Sequence, residues 1–189
     1  ARAAERNGYP TGPFDKRCGL LEVGTRPGPI LNPNVAWLLW FVGSTDLYTV
    51  QCDFDDTITV GDLGTSIVDA FGSQEWKESE TAYLNGRISV EETSRIQYGL
   101  VRISPQDLVA FASQNVVVRD GFVEFVSFCR AKDISLVIVS CGLDLYIEPV
   151  LDKLGMSDIE RHTAKGIYKN GRIEVRYIDP WGAPLEDGF

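Results

Sequence analysis

An α/β fold is predicted here: a Rossmann-like parallel sheet carrying an inserted helical-bundle cap. Three observations point to it. A short β-prone run at 48–52 (YTVQC) stops abruptly at carboxylates, as a strand does when it delivers a polar residue to its C-terminal tip. A nearly continuous apolar run at 134–139 (ISLVIV) reads as a parallel strand covered on both faces. Between the two lie four helical patterns, too many for a simple crossover.

The elements follow in order. Residues 65–71 and 74–84 form the first two helices, the second closed by Asn85-Gly86. Ser89-Val90-Glu91-Glu92 is a capping box that opens a third, running to about Tyr98. Ser104-Pro105 opens the fourth, with serine at the N-cap and proline in the first turn. Residues 121–131 are amphipathic, with Phe122, Phe125, Val126 and Cys129 on one face. After the 134–139 strand, Ser140-Cys141-Gly142 turns the chain into a helix over 143–154 with Gly155 beyond its end. Asn170-Gly171, between 166–169 and 172–175, marks a two-residue hairpin. The predicted division is an α/β core at 47–61 and 118–189, a helical cap at 62–117, and an extension or linker at 1–46.

The 189 residues are 44% hydrophobic and 24% charged, enough for one globular domain with an inserted module. With 27 acidic against 18 basic residues and a net charge of -9, no basic face offers itself to nucleic acid. Cys18, Cys52, Cys129 and Cys141 form no C-x-x-C pair, and His162 is the one histidine, so zinc spacing is absent. Cys52 and Cys129 lie in apolar runs and read as small buried hydrophobes of a reducing compartment. The longest apolar run, 35–42, is far shorter than the ~20 residues a membrane helix needs. No basic segment leads into it from the start, so the expected setting is cytoplasmic, without membrane. The first residue is Ala1 and the one methionine is Met156, so the natural start is not displayed.

The chemistry centres on Asp53-x-Asp55-x-Thr57. Two carboxylates at i and i+2 just past a strand can both enter the crevice at the carboxyl edge of an α/β sheet. One can attack phosphorus; the other can protonate a leaving oxygen and later activate water. Thr57 can orient the loop and hydrogen-bond the second carboxylate. An acidic turn held by Asx-type bonds is the plainer alternative. Asp53, Asp55 and Asp56 crowd like charges, which calls for a cation or hydrogen-bond donors. Ser140, with Cys141 and Gly142 behind it, can offer a hydroxyl and backbone N–H groups to a phosphoryl oxygen, or simply cap a helix.

These segments resemble the haloacid dehalogenase-like (HAD) hydrolases. VQCDFDDTIT is similar to the family's first motif and LVIVSCGLDLYIEPVL to its second. The helices between look like the cap of the phosphoserine-phosphatase-like branch. Arg119-Asp120-Gly121-Phe122-Val123-Glu124-Phe125-Val126 and Leu143-Asp144-Leu145-Tyr146-Ile147-Glu148-Pro149 are similar to the branch's 2-hydroxy-3-keto-5-methylthiopentenyl-1-phosphate phosphatase group. The resemblance implies an Mg2+-dependent phosphomonoesterase acting on a small phosphorylated metabolite through an aspartyl-phosphate. Asp53 would be nucleophile and metal ligand. Asp55 would be general acid/base, lending its backbone carbonyl to the metal. Ser140 would bind the phosphoryl group, with Cys141, Gly142 and Thr57 around it. Asp62 and Arg95 are possible substrate contacts. Asp56 stands where the family usually has glycine.

The family's third motif, a lysine, and its fourth, an acidic G-D-x-x-x-D-like segment, are not found before Phe189. Lys165 and Lys169 are poor substitutes because they flank the hairpin. The expectation is therefore an incomplete core with an unpaired sheet edge, prone to associate and nearly inactive as a fragment. Two other classes stay open: a receiver-type phospho-acceptor domain and a non-catalytic binding domain. Trp76 and Tyr83 are expected to pack within the cap, and His162 to be surface or structural. Oligomeric state is left undetermined.

Overall fold

The computed structural model describes residues 38–41, 48–179 and 181–185. Cys18, nearly all of the 1–46 stretch and residues 186–189 lie outside the described residues. The elements run β1 (Leu38–Phe41), β2 (Tyr48–Cys52), α1 (Leu63–Phe71), α2 (Trp76–Leu84), α3 (Val90–Leu100), α4 (Pro105–Asn115), α5 (Phe122–Ala131), β3 (Ser135–Leu143), α6 (Asp144–Lys153), β4 (Glu160–Lys169), β5 (Arg172–Ile178) and β6 (Pro184–Leu185). The strands make one sheet in the order β1-β2-β3-β4-β5-β6. β2, β3 and β4 are parallel, and β1, β5 and β6 join antiparallel.

The start signals act as read. Ser89 caps α3 by accepting from the Glu92 amide at 3.2 Å, and Ser104 caps α4 by accepting from the Asp107 amide at 3.1 Å. Asn170 and Gly171 close the β4–β5 hairpin with φ of 52° and 71°, the left-handed pair that two-residue hairpin loops require. Phe54, Ile58, Ile67, Ile138, Leu143, Ile147 and Leu151 are fully buried and share one apolar cluster with Trp76, Tyr98, Leu108 and Ala112. The inserted helices and the sheet therefore hold a common core.

Four expectations are corrected. Ser140-Cys141-Gly142 is not a turn, because β3 continues to Leu143. Ser140 pairs with Thr163 and Leu143 with Ala164, so Cys141 and Gly142 bulge out between the paired positions. Burial of the Leu143 side chain restores the register. The helix N-cap is then Leu143, not Ser140. Second, β4 begins at Glu160, well before the hairpin, and its polar first half (ERHTA) pairs with β3. Third, part of the stretch read as an extension is strand: β1 pairs antiparallel with β2 and occupies an edge expected to be bare. Fourth, Trp76 is buried but Tyr83 is 38% exposed. His162 sits in β4, 3.2 Å from Glu160 Oε1. Among the described residues no helix is long and apolar enough to cross a membrane.

Candidate active site

β2 ends at Cys52, so Asp53 stands at the carboxyl edge of the sheet beside Ser140 of β3. The loop that follows is held by two apolar plugs, Phe54 and Ile58, both fully buried. The Phe54 carbonyl accepts from the amides of Ile58 at 2.9 Å and Thr59 at 3.1 Å. The buried Thr59 hydroxyl donates to the Gly61 carbonyl at 2.7 Å and accepts from the Asp56 amide at 3.1 Å. Thr59, rather than Thr57, is thus the hydroxyl that ties the loop. Asp56 adopts φ 54°, a left-handed geometry that favours glycine, and its carboxylate accepts from the Gly61 amide at 3.2 Å.

Asp53 is exposed, with Oδ1 accepting from the Phe54 amide at 2.7 Å. Surrounding protein raises its carboxyl above the ordinary value, helped by the charges of Asp62 and Asp56, while the Phe54 amide and the Ser140 hydroxyl oppose the rise. Ser140 is 4% exposed and stands beside the Asp53 carboxylate, and its oxygen accepts from the Gly142 amide at 3.1 Å.

Asp55 turns inward. Its Oδ1 accepts from the amides of Leu63 at 2.9 Å and Gly64 at 3.4 Å, at the start of α1, and its Oδ2 accepts from the Tyr146 hydroxyl at 2.6 Å. Burial raises its pKa to about 7, and the charges of Asp62 and Asp53 add to the rise; the Tyr146 and Leu63 bonds act against it. A carboxyl tuned this way can hold or release a proton near neutrality. None of its bonds comes from Thr57.

The remaining candidates separate. Gly142 lies against the site: a Cβ there would overlap the Tyr146 hydroxyl and sit 2.8 Å from Asp55 Oδ2. Asp62 caps α1, accepting from the Thr65 amide at 2.6 Å, and is close enough to act on both carboxyls. Cys141 is half-buried. Arg95 is exposed and lies over the Tyr177 ring at 5.3 Å. It lines a cleft of about 620 Å³ with Gly99, Lys169, Arg172 and Glu174, which includes neither Asp53 nor Asp55. Lys165 pairs with Asp144 at 3.1 Å and Lys169 with Glu174 at 3.4 Å. The sequence reading missed Thr59, Arg119, Tyr98 and Tyr146 as parts of the site. Arg119 and Tyr146 do fall inside the phrases that carry the family resemblance.

Magnesium requires hard oxygen donors and retains several waters. Among the described residues no three His, Cys, Asp or Glu side chains converge on one point. Both Asp55 side-chain oxygens are engaged by donors, whereas its backbone carbonyl accepts no hydrogen bond among the described residues. The donor set that fits is therefore the exposed Asp53 carboxylate and the Asp55 carbonyl, the rest coming from substrate and water.

A parallel sheet with a strand-tip aspartate pair and an inserted helical bundle defines a class of α/β hydrolases. Residues 50–180 match the haloacid dehalogenase-like hydrolases, and the chain belongs to that family. It is 35% identical over 127 residues to the 2-hydroxy-3-keto-5-methylthiopentenyl-1-phosphate phosphatase of Brevibacillus brevis, covering 67% of this chain and 57% of that protein. The enzyme of the same name from Bacillus velezensis is 36% identical over 113 residues, covering 59% and 47%. The chain thus spans about half the length of the curated relatives it matches. Among solved structures, a substrate-bound phosphoserine phosphatase superimposes with a TM-score of 0.55 at 19% identity, covering 70% of this chain and 63% of that one. A HAD-family hydrolase from Salmonella enterica serovar Typhi superimposes with a TM-score of 0.57 at 14% identity, covering 66% and 42%. Both support the fold.

Proposed function

We propose that the protein is a phosphomonoester hydrolase that works through an aspartyl-phosphate on Asp53. The observation that carries this is the placement of an exposed strand-tip aspartate beside the Ser140 hydroxyl, followed two residues later by an inward carboxyl poised near neutrality. An Asp53 oxygen attacks phosphorus, the bond to the ester oxygen breaks, and that oxygen takes a proton from Asp55. Asp55, now a carboxylate, takes a proton from water as its oxygen attacks phosphorus. The bond to Asp53 then breaks and inorganic phosphate leaves. Ser140 holds a phosphoryl oxygen, and the bulge at Cys141 and Gly142 lets the backbone approach it. Magnesium, held by Asp53 and the Asp55 carbonyl, would offset the charge gathered on the phosphoryl oxygens.

The relatives' names support a small phosphorylated metabolite as substrate, and the family match favours this reading over a receiver-type domain. Free Cys52, Cys129 and Cys141 are consistent with a reducing, cytoplasmic setting. The test is to incubate the 189-residue chain with magnesium and p-nitrophenyl phosphate, reduce with borohydride and map peptides. Homoserine at position 53, absent in Asp53→Asn, is expected, with slow multiple turnover. No adduct at 53 under any phosphoryl donor overturns the reading. Fast turnover abolished by Asp53→Asn would keep the phosphatase and discard the expectation of a nearly inactive fragment.

A further inference from the structure

Tyr146, in the first turn of α6, is 1% exposed, and its hydroxyl donates to Asp55 Oδ2 at 2.6 Å. The surroundings leave that hydroxyl little room to be elsewhere. A Cβ on Gly64 would lie 2.9 Å from it, and a Cβ on Gly142 would overlap it. The buried Tyr98 oxygen closes the Gly64 side as well, 2.5 Å from the same Cβ position. The Tyr146 ring rests against Phe54, fully buried between the two aspartates in sequence, with ring centroids 6.2 Å apart. A hydroxyl wedged between two glycines is a rigid donor.

A carboxylate offers about four acceptor positions, two on each oxygen. The amides of Leu63 and Gly64 take Oδ1, and Tyr146 takes one position of Oδ2. The position that is left belongs to Oδ2, and Oδ2 lies against the β3 bulge, 2.8 Å from where a Gly142 Cβ would stand. The Gly142 amide in turn donates to Ser140, beside Asp53.

We propose that Tyr146 is a positioning residue that holds Oδ2 of Asp55, the oxygen that transfers the proton, against the bulge where the phosphoryl group sits. The inference rests on Asp55 being the general acid/base. As an Asp53 oxygen bonds to phosphorus and the ester bond breaks, the departing oxygen takes its proton from Oδ2, because Oδ1 is turned to the α1 amides. Removing the Tyr146 hydroxyl leaves Oδ2 without a side-chain donor among the described residues and frees the carboxyl to swing about its Oδ1 bonds. Tyr146 is buried and meets the reacting atoms through Asp55 alone.

Two measurements on the 189-residue chain test this. The first follows the rate at which borohydride-trapped adduct forms at Asp53 from β-glycerophosphate, whose alkyl leaving oxygen needs a proton, and from p-nitrophenyl phosphate, whose leaving group needs little help. Tyr146→Phe should slow the adduct about tenfold from the alkyl donor and about twofold from the aryl donor. In an Asp55→Asn background the same change should slow neither donor further. Equal slowing on both donors, or further slowing in that background, overturns positioning in favour of a packing role. The second measurement is amide exchange at Leu63 and Gly64, which lie in the first turn of α1 where the helix supplies no acceptor, so their protection reports the seat of Asp55. Tyr146→Phe should speed both about fivefold and leave the middle of α6 unchanged. Unchanged exchange at Leu63 and Gly64 overturns the proposal. A wild-type chain that takes no phosphoryl group at Asp53 from either donor overturns the phosphatase reading, and the catalytic half of this proposal with it; the exchange data then decide by themselves whether Tyr146 holds Asp55.

Discussion

The Arg119 Nε donates to the Thr57 carbonyl at 2.8 Å across 62 positions of sequence. The same guanidinium donates to the carbonyls of Asp56 at 2.7 Å and Thr59 at 3.2 Å. One planar fork therefore ties down three carbonyls of the loop between Asp53 and Gly61. It also lies 3.6 Å from the Asp56 carboxylate, but Asp56 is 76% exposed there and water screens the pair. The carbonyl bonds, not the ion pair, hold the loop.

Replacing Arg119 with lysine keeps the charge and loses the fork. Arg119→Lys is expected to cost about 1–2 kcal/mol in denaturant unfolding and to raise amide exchange at Ile58 and Thr59. Asp56→Asn, which weakens only the ion pair, should change stability by less than about 0.5 kcal/mol.

Gly142 is a position where side-chain volume, not backbone conformation, is limiting. Its hypothetical Cβ overlaps the Tyr146 hydroxyl and crowds Asp55 Oδ2. Gly142→Ala should destabilise the protein by about 1–3 kcal/mol. Tyr146→Phe in the same chain removes the overlapping oxygen, so the double variant should be more stable than the sum of the two single changes predicts. Additive losses in a thermal melt would argue that the site relaxes elsewhere.

Asp55 also gives the protein a pH signature in metal-free buffer. Its carboxyl is raised from 3.8 to about 7, so between those values the folded state holds a proton that the unfolded state has released. Stability from this group is complete below the unfolded value and is lost as pH climbs toward the folded one. Asp53, raised in the same direction by the protein around it, adds in the same sense. The urea midpoint in EDTA should therefore fall between pH 5 and about 7.5. Asp55→Asn should flatten that slope, and an unchanged slope would contradict the burial of Asp55.

What could be read in the sequence was local. The run before Asp53, the serine caps at Ser89 and Ser104, and the Asn170-Gly171 turn each depend on neighbours within a few residues. The Asp53/Asp55 pair was legible for the same reason, since i and i+2 past a strand share one edge. Tyr98 and Tyr146 were not, because a tyrosine on an apolar helix face looks the same whether its hydroxyl meets a carboxylate or nothing. The polar first half of β4 escaped because ERHTA carries no strand pattern, and its pairing with β3 supplies what periodicity does not. Ser140-Cys141-Gly142 has turn-like composition, and only burial of Leu143 beyond it shows that the strand continues through a bulge. Thr57 and Thr59 differ by one pleat of the loop, a distinction made by the buried anchors Phe54 and Ile58.

The pairing of β2 with β3 has a consequence for how the chain reaches this state. Thr49 pairs with Ser135, so the entire helical insertion must be gathered into one loop before the first parallel bonds form. Closing a loop of that length is entropically costly and slow compared with forming any of its helices. Asp53 and Ser140, side by side in the finished site, are late acquaintances during folding. On a ribosome Asp53 would emerge long before Ser140, and the strand tip bearing it would wait, unpaired on that side, until residues past 135 arrive.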